Sequence, residues 1–281
     1  MALEFAGADF ANTKLTTLTS GAGAGTKGPY TELIGTTTNA TSRMVVQVSS
    51  ITAKEHFQIW IAKDSAPEVD IHNFTYWGGS SDGTSGGTNY TFEIPIEIDA
   101  STRISAACAS SAASKTVEIA IALSDDSSYG TSDTRETIGI SAGGFNGTDI
   151  NPGGTANTLP GTWTELAAST SHAYDMMIVS IGMSDNNALA YARWIVQIGI
   201  DSGGGDTLLV DEIYHVSDTG EDGHKYYTIY APVGSGDQVV ARCQCNITDA
   251  TDRVIDVSLT GIKMTAPTGG SATQTSYGYF G

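Results

Sequence analysis

Positive charge is what this chain has least of. Lys and Arg number 13 against 31 Asp and Glu, which leaves a net charge of −18 at neutral pH over 281 residues. Holding a phosphate backbone takes clustered cations, so this balance excludes a nucleic-acid partner and disfavours docking on an anionic membrane. Charge of either sign is sparse, at 16% of residues, where an average soluble domain has about 25%. Cysteine is scarce too. Cys108, Cys243 and Cys245 fit neither a zinc spacing nor a disulfide framework. Cys243 and Cys245 stand two apart in a strand-like segment, share one face and are poorly placed to bridge each other. Three buried thiols acting as small apolar groups are expected. No apolar run reaches the roughly 18 residues of a helical membrane span. Met1–Asn12 carries Glu4 and Asp9 and does not read as a signal peptide. The five glycosylation sequons, at Asn39, Asn73, Asn89, Asn146 and Asn246, therefore read as chance. No stretch sustains a 3.6-residue period with caps, which excludes a helix bundle.

What is abundant is turn chemistry and repetition. Gly contributes 33 residues, with plentiful Ser and Thr, a composition that suits short strands joined by many turns. The chain is long enough to bury a core without metal or disulfide. Six blocks recur in order. Gly28–Ile34 matches Gly161–Ala167, and Met44–Val48 matches Met177–Ile181. Gln58–Ile61 matches Gln197–Ile200, and Tyr90–Ile96 matches Tyr227–Val233. Cys108 falls on Cys243, and Ile119, Ile121 and Leu123 fall on Ile255, Val257 and Leu259. Within each copy the apolar residues alternate, as in Phe92, Ile94, Ile96 and Ile98, the mark of a strand with one face on a core. Pro95 and Pro232 predict edge strands or bulges. The expected fold is all-β: two tandem antiparallel β-sandwiches, jelly-roll-like, arising from an internal duplication. The boundaries read as an N-terminal arm 1–27, copy one 28–125, a connector 126–160, copy two 161–264, and an uncharged aromatic tail 265–281.

Motifs for chemistry are few, and each has a plainer reading. Gly23–Gly28 satisfies GxGxxG but lacks the strand before and the helix after that a dinucleotide site needs, so a flexible arm is expected. Gly139–Gly143 satisfies GxSxG with no helix to follow it, so it is no nucleophile elbow. His56, His72, His172, His215 and His224 form no metal or catalytic pattern and read as surface or half-buried residues. Asp201–Asp206 and Asp218–Gly223 are oxygen-rich but match no calcium loop, and they read as turns that need Asp and Gly for their backbone angles. No catalytic residue, metal or cofactor is expected. Tyr30 and Trp163 are equivalent in the two copies, which points to a shared core role. Tyr76 and Trp77, at a strand end beside a Gly-rich loop, are the candidate platform for a sugar ring. Tyr277, Tyr279 and Phe280 of the tail are the candidate contacts to another subunit.

The order of blocks carries a resemblance. Gly161–Thr170 is followed by Trp194–Asp201, then by Tyr226–Val233, then by Val239–Cys245. This series resembles a module of tailed-bacteriophage virion structural proteins, found in tail, fibre and decoration proteins. Copy two carries it best. Copy one departs from it, with Ala107 against Arg242 and Trp60 against Gly199. The resemblance implies a non-enzymatic virion protein with an assembly role; without the long coiled-coil or β-helical shaft of a fibre, a capsid decoration or stabilising protein on the particle surface, made in the host cytoplasm, is expected. Its partners would be other virion proteins of capsid or tail, and copies of itself as a homo-oligomer such as a trimer, with the terminal arms as clamps. A tail, fibre or baseplate component, or a carbohydrate-binding adhesion module using Tyr76 and Trp77, are the alternatives.

Overall fold

The computed structural model describes residues 3–9, 14–50, 55–64, 67–78, 90–125, 131–140, 146–183, 192–201, 206–217, 225–247 and 253–265. Every regular element among them is a strand. The first half contributes β1 (Leu3–Ala6), β2 (Ala8–Asp9), β3 (Lys14–Thr19), β4 (Thr31–Ile34), β5 (Thr41–Ser50), β6 (Glu55–Lys63), β7 (Val69–Gly78), β8 (Tyr90–Ile98), β9 (Ile104–Ser110) and β10 (Thr116–Ser124). The second contributes β11 (Thr131–Ile138), β12 (Thr148–Ile150), β13 (Thr164–Ala167), β14 (Met176–Met183), β15 (Ala192–Asp201), β16 (Asp206–Ser217), β17 (Lys225–Ile229), β18 (Gln238–Cys245) and β19 (Ile255–Thr265).

Four antiparallel sheets stack as two sandwiches. In the first, β2-β3-β10-β5-β8, with β1 also on β10, faces β4-β9-β6-β7. In the second, β11-β19-β14-β17, with β12 also on β19, faces β13-β18-β15-β16. Each is a jelly roll whose first strand is broken in two. Alternation decides which face is inside. Phe92, Ile94, Ile96 and Ile98 of β8 are buried, while Thr91, Glu93 and Glu97 between them are exposed. Met44, Val46 and Val48 of β5 meet Leu123, Ile121 and Ile119 of β10 in register, and all six are buried. The second core centres on Trp194, fully buried, whose indole N–H donates to the Arg253 carbonyl at 2.8 Å. Cys108, Cys243 and Cys245 are free thiols buried in these cores.

Each copy begins earlier than its repeated blocks do. The segment read as an arm forms β1 and β3, both hydrogen-bonded to β10. The segment read as a connector forms β11 and β12, both on β19. The small polar details repeat as well. Glu4 accepts the Thr38 N–H at 2.9 Å, and Glu136 accepts the Ser171 N–H at 2.9 Å. The Thr16 hydroxyl donates to Gly7 O at 3.2 Å, and the Thr148 hydroxyl to Gly139 O at 3.0 Å. Gly7 and Gly139 both have positive φ, +81° and +76°, and a Cβ on either would stand 2.9 Å from a carbonyl oxygen of the facing strand. Only glycine fits this break between the two halves of the first strand. The stretch Gly23–Gly28 is likewise no loose arm: Gly25 and Gly28 donate to Ser110 O and Cys108 O, each at 2.8 Å.

Candidate functional site

The two sandwiches meet at a junction built from an edge strand and a sheet face. β7 ends its sheet, so among the described residues the carbonyls along its outer edge have no strand partner. An edge of this kind invites pairing with another chain unless something covers it. Here side chains of the second sandwich do so. Arg135 of β11 donates to Ile71 O at 3.2 Å and, from β7's neighbour across the open side, to Pro95 O at 2.9 Å. Thr137 and Thr260 reach Asn73 O at 3.3 and 3.5 Å. The Tyr226 hydroxyl donates to Thr75 O, and Ser180 approaches the same oxygen at 3.4 Å. Alternate residues of one edge are thereby satisfied one after another. The Thr75 hydroxyl completes a buried cluster with Ser180 at 3.1 Å and Ser258 at 2.6 Å.

Apolar packing closes the same seam. Tyr226 of β17 lies stacked on Phe92 at 4.5 Å between ring centroids, edge-on to Phe74 at 6.2 Å and to Tyr90 at 5.9 Å. Its burial pushes the phenol well above the usual tyrosine range. Met176, Ile178 and Ile262, on the outer face of the second sandwich, join the core of the first. The first core thus extends across the seam onto the second sandwich, whose own core lies on the inner side of the same sheet. His56 of β6 stands 3.2 Å from Asp256 of β19, both buried. His72 of β7 is buried beside Phe74, ring centroids 5.6 Å apart. Burial first, and then the Arg135 guanidinium, hold its imidazole down to about 3. Surface or half-buried positions were expected for these two histidines; both instead serve the junction, because each faces the seam rather than solvent. Where sheet and seam meet the surface, Arg43, Glu93, Pro95, Met176, Thr228, Tyr230 and Met264 line a pocket of about 330 Å³.

Of the candidate sugar platform, Tyr76 does not take the exposed place expected for it. Tyr76 is 1% exposed and packs between Phe57 and Tyr90, so no ring face is open to a sugar. Position 76 falls on the inward set of β7, with Phe74, which a strand end beside a Gly-rich loop did not reveal. Trp77 pairs through its backbone with His56; its side chain lies outside the described residues, as do Tyr277, Tyr279 and Phe280. Of the candidate calcium loops, 202–205 and 218–223 also lie outside them. Among the described residues no group of three or more metal-ligating side chains comes together. Tyr30 and Trp163 are not core residues. Both are half-buried on outer sheet faces and carry a cation, Lys27 at 4.4 Å from the Tyr30 ring and Arg242 at 4.1 Å from the Trp163 ring. Sequence reading missed Arg135 and Thr137 altogether. Their one signal is the alternation of β11, where Thr134, Glu136 and Ile138 take the other face.

No family model matches the chain, and no curated protein matches it. Among solved structures it is similar to a chain in the atomic structure of Sulfolobus turreted icosahedral virus, at 9% identity over 96% of this chain and 92% of that one, with a TM-score of 0.41. It is similar to the STIV MCP at 9% identity over 97% of this chain and 100% of that one, TM-score 0.39. It is also similar to PNGF-II at 6% identity over 94% of this chain and 66% of that one, TM-score 0.38.

Proposed function

We propose that this chain is a non-enzymatic structural protein of a virus particle, a capsid decoration or stabilising protein on its surface, assembled with further copies of itself and with other virion proteins. The observation that supports it best is the junction. Two jelly rolls are locked into one body by filling an exposed strand edge with side-chain donors and one partly buried aromatic, an arrangement that serves rigidity. The block order that resembles tailed-bacteriophage virion modules points the same way. A net charge of −18 keeps such a surface soluble and off nucleic acid. The N-terminal segment does not fit the role of a clamp, because β1 and β3 are strands of the first sandwich. The C-terminal tail keeps that role in this reading. The burial of Tyr76 takes one of its two rings from the carbohydrate-binding alternative.

Gold-labelled antibody against the chain, imaged on particles by electron microscopy, tests this. Label spread over heads supports the decoration role. Label confined to one end of a tail moves the assignment to a tail, fibre or baseplate part. Absence of label from all particles overturns the virion reading.

A further inference from the structure

The pocket at the seam has a chemistry that the junction does not use. It lies where the outer face of β5–β8 meets the outer face of β14–β17, and the two copies supply it from equivalent positions. Met44 opposite Ile94 corresponds to Met177 opposite Ile229. Arg43, Glu93 and Pro95 of copy one therefore correspond to Met176, Thr228 and Tyr230 of copy two. Copy one contributes an ion pair, Arg43 with Glu93, whose charges cancel. Copy two contributes a thioether and a ring, and Met264 of β19 adds a second thioether. Tyr230 is 78% exposed, so its ring is open to a partner. Thioethers and an open ring favour an aromatic occupant. A neutralised ion pair offers nothing to a charged one. The volume, about 330 Å³, is that of a small-ligand pocket and admits an aromatic side chain.

An occupant of this chemistry starts at the pocket wall. The Met264 N–H donates to the Asp175 carboxylate at 2.9 Å, which ties the end of β19 beside the pocket that Met264 lines. Past Thr265 the chain continues with 266–281, which carry no charge and include Tyr277, Tyr279 and Phe280. Residues 266–276 can span up to about 40 Å when extended, ample for a return to a wall that begins at Met264. A tether of this length gives the rings an effective concentration on the order of millimolar, so even a weak fit is occupied. We infer that the aromatic run Tyr277–Phe280 docks in the seam pocket of its own chain before assembly, with a ring against Met176, Met264 and Tyr230. The inference rests on the particle reading for the later use of these rings. Until they clamp a neighbour, the pocket keeps them from water and from other chains.

Methionine-methyl NMR on the full chain tests this. The cysteines of the wild type are buried, so a nitroxide can be attached selectively at Ser276→Cys. The Met176 methyl, assigned through Met176→Leu, is expected to lose most of its signal to the nitroxide. Adding Tyr277→Ser, Tyr279→Ser and Phe280→Ser to the same labelled chain restores that signal, because the tether is unchanged and only the rings are gone. Equal loss with and without the rings means that the tail merely passes the seam, and the inference fails. A Met176 signal undiminished in both overturns it too. A mixture separates the chain's own tail from another copy's: nitroxide on one population, labelled methionine on the other. Met176 stays sharp in the mixture if the tail docks at home. Broadening there means that a second copy fills the pocket and contradicts the inference. All of this is read on the purified chain, so its failure leaves the particle assignment, decided by antibody label, untouched.

Discussion

His72 makes the stability of the junction depend on pH. Its ring lies against Phe74 and near Phe92, 5% of the residue is exposed, and neither ring nitrogen meets a hydrogen-bonding atom among the described residues. Protonation there would place a second cation beside Arg135 in an apolar setting, which is why the imidazole is held down to about 3 from an ordinary 6.5. A base whose folded value is lowered is neutral in both states above 6.5, so nothing is lost there. As pH falls below 6.5 the unfolded chain takes up a proton that the folded chain refuses, and stability drains away until about 3. At about pH 5 the unfolded group lies some 1.5 pH units past its midpoint, which at about 1.4 kcal/mol per unit amounts to roughly 2 kcal/mol. Urea unfolding of wild type and His72→Phe, at about pH 8 and about pH 5, reads this. Phe fits among the existing rings and removes only the titration. The carboxylates titrate alike in both proteins and cancel in the difference. Wild type is expected to lose about 2 kcal/mol more than the variant between the two pH values. Equal losses in both would refute the assignment of His72 as a buried neutral imidazole.

Other outcomes follow from the same contacts. Tyr226→Ala removes the ring by which the second sandwich packs on the core of the first and is expected to cost about 3–5 kcal/mol, with the single urea transition splitting into two. Deleting residues 1–27 takes β1 and β3 off β10 and should abolish the tertiary circular dichroism of the first sandwich, rather than leave it folded. Gly28→Ala would put a Cβ 1.9 Å from Thr19 O, so a lowered melting temperature is expected even though the site is only a loop. Burial pushes the Cys108 thiol up to about 12 and the Cys243 thiol higher still; Cys108, Cys243 and Cys245 should react with a thiol reagent only after denaturant is added.

Fold class and duplication were legible because a half-buried strand writes its face into the sequence every second residue. The same period explains where the reading slipped. Strand pairing places Ile119 opposite Val48 and Val257 opposite Ile181, so Ile119 corresponds to Val257, not to Ile255. Phe92 opposite Val46 corresponds to Tyr227 opposite Val179, which moves the Tyr90 block in the same way. Ile59 opposite Cys108 corresponds to Val196 opposite Cys243, which moves the Gln58 block too. Each slip is two residues and keeps every side chain on its face, so apolar pattern alone could not detect it. The first strands were lost for another reason. Within Leu15–Thr19 only Leu18 is deeply buried, and a strand held mainly by backbone bonds needs no more. The junction was illegible because its donors answer carbonyls, and a free carbonyl edge leaves no trace in residue identity.

The particle itself gives the most direct measurement. Intact particles are banded on a density gradient, washed at raised salt, and this chain is quantified against the major shell protein by mass spectrometry. The chain is expected to band with the particles at a constant ratio across preparations and to remain after the wash. Recovery of the chain only in the soluble fraction, with none in the particle band, would contradict it.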